Sequence, residues 1–338
     1  MKAVGYAKPL SIDATDSLVD ITLPEPVATG RDILVEVKAI SVNPVDYKVR
    51  SSAPPFPGDS HRVLGWDVAG TVKAVGPDAS FFKVGDDVFY AGSIARSGAN
   101  AELHLVDERI VGHKPKSIGF EQAAALPLTS ITAWELLFDR FGVKPGKPAD
   151  AGSLLIIGAA GGVGSVLIQL ARRLTGLTVI ATASREETKK WCLDLGAHHV
   201  IDHTVSFGPQ LQALGLTGVE YIAGLTGTEV HYPTLVEVLV PQGHFGVIDD
   251  PKVLDALPLK RKAASLHWEF MFTRSLYTTR DIAIQHLILN EVASLVDAGI
   301  IHTTVAKSFG TVNAANLRKA HALLETGKSH GKIVLAGF

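Results

Sequence analysis

Residues 153–165 read SLLIIGAAGGVGS, and that run constrains the fold more than any other part of the chain. An apolar strand pattern leads into glycines at 158, 161, 162 and 164, and a helical apolar pattern follows at 166–174. A buried strand that turns tightly into a helix is the context in which a glycine fingerprint carries meaning. Counted from Ala159, the pattern is A-x-G-x-x-G. Gly161 would let the backbone approach a pyrophosphate, and Gly164 would let the helix close on the strand. The helix N-terminus would offer N–H groups and a positive dipole, so Ala160, Gly161, Gly162 and Val163 are predicted to bind a dinucleotide.

Such a unit needs neighbours of the same kind. Strand-like runs at 178–182, 200–201, 221–223 and 244–248 each follow a plausible helix. Strands alternating with helices predict an α/β fold with a doubly wound parallel sheet of Rossmann type. The end of the run 178–182 then chooses between dinucleotides. NAD sites place an acid roughly 20 residues beyond the loop to hold the ribose 2′-hydroxyl. Here Ser184 and Arg185 stand after Ala183, with Lys189 one helical turn on. A guanidinium suits a 2′-phosphate, so NADPH is the predicted cofactor.

The first third has another texture. Residues 33–39 (ILVEVKA) alternate like a half-buried strand, 68–75 and 87–90 read as further strands, and 53–58 is a Pro-rich surface loop. An apolar helical pattern over 121–138 is broken at Pro127, and a Gly/Pro linker follows at 142–152. The length predicts two domains. A net charge of −2 gives no electrostatic reason to expect nucleic acid or an acidic membrane as partner. Glycines and charges interrupt every apolar stretch before the roughly 18 residues a membrane span needs. The start MKAVGY has no apolar signal-peptide core, so a cytoplasmic location is expected. The chain has one cysteine, Cys192, in a helical stretch at 186–195, where it reads as a buried inert thiol. One thiol cannot build a thiolate zinc centre.

Together, SVNPVDYKVR (41–50), GWDVAG (65–70), VGDDV (84–88), FYAGSI (89–94), ALPLT (125–129), AAGGVG (159–164), LGAHHVIDH (195–203) and FMFTRS (270–275) resemble zinc-independent medium-chain dehydrogenases/reductases of the quinone oxidoreductase group. Within that group the chain is most similar to the subgroup labelled zinc-type alcohol dehydrogenase-like. The resemblance implies a β-rich, GroES-like, partly open barrel from residues 1–122 and 266–338, with the tail returning to complete it. It also implies a Rossmann domain over 123–265 and a homodimer. Where zinc members carry a ligand cysteine this chain has Asn43, in place of their His-Glu pair it has Trp66-Asp67, and near a second cysteine position it has Leu126-Pro127. No metal is therefore expected.

Without a Lewis acid, hydrogen-bond donors must meet the charge that develops on a substrate oxygen. By resemblance, Asn43, Asp46, Tyr47 and Arg50 form the catalytic wall, with Tyr47 or water delivering a proton. Thr129 would hold the nicotinamide carboxamide, and His203 stands where relatives often have a tyrosine. Gly246, Val247, Ile248 and Lys332 complete the implied cofactor contacts. Trp66, Tyr90, Phe270 and Phe272 would line the substrate pocket. The expected activity is NADPH-dependent, zinc-independent reduction of quinones or α,β-unsaturated carbonyl compounds. Enoyl-thioester reduction, and an NADPH-binding protein of little activity with a structural or RNA-associated role, stay open as alternatives.

Overall fold

The run Ser153–Ile157 is fully buried, and it forms an inner strand of a six-stranded parallel sheet. In this computed structural model, which describes residues 1–148 and 150–338, the chain divides into two units. The first comprises Met1–Ile131 and Phe272–Phe338, and the second Thr132–Met271. The domain boundaries read from the sequence lay at 122/123 and 265/266. The linker read at 142–152 includes residue 149, which lies outside the described residues.

The sheet of the second unit runs in the order His199–Ile201, Thr178–Thr182, Ser153–Ile157, Val219–Gly224, Leu239–Val247 and Ser265–Trp268. Ser153–Ile157 and Thr178–Thr182 are buried along almost their whole length, as the inner strands of a parallel sheet covered on both faces are. Leu155, Ile157, Ile180, Ile222, Phe245 and Val247 pack into one core cluster. The helix after the glycine turn spans Gly162–Leu174, starting earlier than the apolar period at 166 suggested. The strand read at 244–248 begins at Leu239.

The first unit is built from antiparallel strands, apart from one parallel pair at its sheet edge. Asp32–Val42 buries alternate residues over its first half and pairs with Val68–Val75, Leu103–Asp107 and Lys332–Ala336. The C-terminal strand thus closes against a strand almost 300 residues earlier, with Val334 opposite Ser41. Seven strands form this sheet, and Lys2–Tyr6 centres a separate sheet of three.

The helical pattern over 121–138 resolves into three pieces. Phe120–Ala124 and Pro127–Trp134 are α-helical, and Glu135–Arg140 is π-helical. Pro127 opens the second helix, where its missing N–H costs nothing. The π segment has no counterpart in the periodicity. Among the described residues, no helix is long and apolar enough to cross a membrane.

Candidate active site

The glycine turn of the second unit is shaped by backbone demands. Gly158 adopts φ +78°, and a Cβ there would lie 2.7 Å from Thr226 Cγ2. A Cβ on Gly164 would lie 2.4 Å from the Ala159 carbonyl oxygen, so only glycine permits this helix to close on the strand. Gly161 caps the helix with extended backbone and no side-chain hydrogen bond. A Cβ on Gly161 would meet only Gly158 O, at 3.3 Å. Its side faces open space, and Ala160, Gly161, Gly162 and Val163 are partly exposed. First-turn N–H groups beside an open glycine face fit the pyrophosphate of a dinucleotide.

Beyond Thr178–Thr182, Ser184 is half-buried and Arg185 is exposed at the N-cap of Glu186–Asp194. Lys189 is tied to Glu186 at 2.8 Å. His203 is half-buried, its ring 6.0 Å from that of His231, which also packs on Phe207. His231 was not singled out by the sequence, because no spacing rule joins it to the strand end at Asp202. The strand residues need correction. Val247 is a core side chain, and the bare face of Gly246 is filled by Leu136 and Phe141, within 2.7 Å of where a Cβ would be. Only Ile248 of the three is partly exposed.

In the first unit, a buried network joins residues that the sequence assigned to different tasks. Lys332 Nζ donates to Val42 O at 2.9 Å, to Asp67 Oδ2 at 2.8 Å and to Asn43 Oδ1. Asn43 Nδ2 donates to the same Asp67 oxygen at 2.9 Å, and Leu128 N donates to Asp67 Oδ1 at 2.8 Å. Asn43 N donates to Asp46 Oδ2 at 2.7 Å, which secures the start of the helix Pro44–Ser52. All four side chains are buried. Burial pushes Asp46 up to about 7, opposed by the Asn43 N–H and by Lys332. Burial also raises Asp67, against the pull of Lys332 and the Leu128 N–H.

The network corrects several expectations. An ammonium has three protons, and those of Lys332 are taken, so this lysine does not reach a nucleotide. Asp46 serves its own helix rather than a substrate. Arg50 is buried too. It donates to Leu10 O at 2.7 Å and pairs with Glu325, tying its helix to Ala314–Glu325. Tyr47 is the member of the proposed catalytic set whose side chain is partly exposed. The Thr129 hydroxyl is buried and returns to Leu126 O at 3.1 Å.

The expected pocket aromatics also divide. Trp66 is buried, donates Nε1–H to Ser93 O at 3.2 Å and meets Phe272 edge-on at 6.1 Å. Tyr90 is completely buried and its hydroxyl bonds His104 Nδ1 at 3.0 Å, so it packs the sheet rather than lining a pocket. Burial lowers His104 to about 4, so that ring is neutral. Phe272 is buried, whereas Phe270, in the second unit, is 47% exposed. Burial pushes the Cys192 thiol up to about 12, which makes it inert as a nucleophile. Among the described residues, no group of three or more His, Cys, Asp or Glu is placed to hold a metal ion.

Comparison with known proteins gives the family. Residues 29–128 match the alcohol dehydrogenase GroES-like domain, and residues 195–335 match a zinc-binding dehydrogenase domain. A zinc-type alcohol dehydrogenase-like protein of Staphylococcus aureus is 40% identical over 99% of both chains. The structure described as a zinc-dependent alcohol dehydrogenase protein from Rhizobium etli is 54% identical, with a TM-score of 0.96 over 100% of this chain and 98% of that one. Escherichia coli quinone oxidoreductase, solved with NADPH, is 25% identical with a TM-score of 0.84, over 99% of this chain and all of that one. The chain belongs to the medium-chain dehydrogenase/reductase family of oxidoreductases.

Proposed function

We propose that the protein is an NADPH-dependent reductase that delivers hydride to a quinone, or to the β-carbon of an α,β-unsaturated carbonyl compound, without zinc. One observation carries this reading. By the resemblance, Asn43 and Trp66–Asp67 take the places of zinc ligands and Leu126–Pro127 lies near the place of another, and Lys332 is paired with the Asp67 carboxylate among them. An amide, an indole and an apolar Leu-Pro pair are not ligands for zinc, and a dication would be repelled by the resident ammonium. The relatives whose names mention zinc do not alter that donor chemistry.

When bound, the nicotinamide supplies the hydride, and the protein supplies binding, orientation and polarity. The open face of Gly161 and the first-turn N–H groups would take the pyrophosphate. Ser184 and Arg185 would meet the 2′-phosphate, and Ile248 would stand near the cofactor at its strand end. In the first unit, the buried network fixes Asn43 and, through Leu128 N, the start of the helix that carries Thr129. Tyr47 follows Asp46 on the anchored helix, and its phenol holds the proton for the substrate oxygen. The NADPH complex reported for the Escherichia coli quinone oxidoreductase supports this choice of cofactor and acceptor.

The test is oxidation of NADPH and of NADH, side by side, over a panel of ortho-quinones, para-quinones and short enones. Turnover with at least one acceptor class, faster with NADPH, is the expected result. Tight NADPH binding with no turnover across the panel would replace this reading with that of a weakly catalytic binding protein.

A further inference from the structure

Glu135, Arg140 and Glu269 form a buried cluster in the second unit that the proposed reaction does not use. Both glutamates are almost completely buried, and the Glu135 carboxyl lies close enough to act on the charge of Glu269. Arg140 Nε donates to Glu269 Oε2 at 2.8 Å, and its Nη2 lies 3.8 Å from Glu135 Oε2. One guanidinium cannot balance two buried carboxylates, so the pair retains a proton. Burial and the neighbouring Glu135 push Glu269 up to about 9, against the pull of Arg140.

The backbone beneath this cluster is π-helical over Glu135–Arg140, and Phe141 N donates to Leu136 O at 3.0 Å, five residues back. That register matters to the cluster. At 3.6 residues per turn, a step of five residues in an α-helix ends about 140° away from its starting face. The wider π turn, with its i→i+5 bonds, brings the same step back close to one face. Glu135 and Arg140 are five apart, so the π register is the one that lets both engage Glu269. It also sets Phe141 against the rings of Tyr221 and His267, at 5.5 and 5.8 Å, and over the bare face of Gly246.

We propose that the proton-sharing Glu135–Glu269 pair, bridged by Arg140, is a pH-sensitive latch that holds residues 135–140 in the π register. Other titratable groups surround it. Asp139 belongs to the same segment, and His267 and His244 stand on the two neighbouring strands with ring nitrogens 3.2 Å apart. Burial lowers both imidazoles, which disfavours their charged forms, and Arg140 is the cation bonded to Glu269.

The direction with pH follows from the raised carboxyl. In the unfolded chain Glu269 titrates near its ordinary 4.5, and in the folded chain near 9. The latch therefore contributes fully below pH 4.5, weakens as pH rises, and is lost as pH passes 9. Trp134, which packs on Phe138 of the π segment at 4.8 Å, reports the register.

The experiment follows the thermal midpoint and tryptophan emission of the full chain against pH, with the Trp134 signal assigned through Trp134→Phe. Wild type should show an alkaline step in Trp134 emission and a midpoint that falls over this window. Glu269→Gln and Glu135→Gln, each keeping a neutral hydrogen-bonding side chain, should abolish the step and flatten the fall. Arg140→Met should move the step to higher pH. Identical pH profiles in wild type and in both glutamine variants would overturn the proposal.

Discussion

The glycine turn at Gly158–Gly164 in the second unit and the buried network of Asn43, Asp67 and Lys332 in the first are held together by opposite means. The turn is local, and everything it needs lies within one strand, one loop and one helix. The network is assembled from three separate segments, and its lysine is 265 residues from the aspartate it neutralises. Backbone constraint does the work in the turn, since Gly164 cannot carry a Cβ without striking Ala159. Charge pairing does it in the network, in a place water does not reach. Chemistry encoded in neighbouring residues can be read directly, whereas chemistry encoded in tertiary pairing must be seen assembled.

The sharpest way to break this comparison is to remove the cation. Lys332→Met should cost about 3–5 kcal/mol of stability, because Asp67 is left buried without its partner. Lys332→Met with Asp67→Asn should recover part of that loss, since the amide keeps an acceptor for Leu128 N. Denaturant unfolding of the three chains measures both. A single variant as stable as wild type would show that the network is not a paired charge. On the other side, Gly164→Val should cost about 1–3 kcal/mol through overpacking against Ala159. Its NADPH affinity should fall far more than its stability, as titration against wild type would show. Equal losses would mean that the turn is merely structural.

The same contrast explains what the sequence revealed. The strands Val68–Val75, Asp87–Tyr90, Ser153–Ile157 and Thr178–Thr182 were legible from alternation or from apolar runs between turn residues. The glycine fingerprint placed the parallel sheet around itself. The π segment at Glu135–Arg140 was not legible, because one extra residue per turn leaves no mark in an apolar pattern. Arg50, Asp46 and Tyr90 were assigned to catalysis or pocket from their place in matching stretches, and Lys332 was assigned to the cofactor as an implied contact. Only the fold shows that Arg50 answers Glu325, that Lys332 answers Asp67, and that Tyr90 answers His104. Residue type and position suggested function, and burial with a committed partner removed it. Tyr47 is the member of the expected catalytic set that keeps a partly exposed side chain.

The central claim is reduction without a metal, and the most direct measurement is NADPH-linked turnover of an accepted quinone or enone before and after exhaustive chelation, with metal content determined on the same sample. The account predicts no stoichiometric zinc and an unchanged rate. Stoichiometric zinc, with turnover that chelation abolishes and zinc restores, would contradict it.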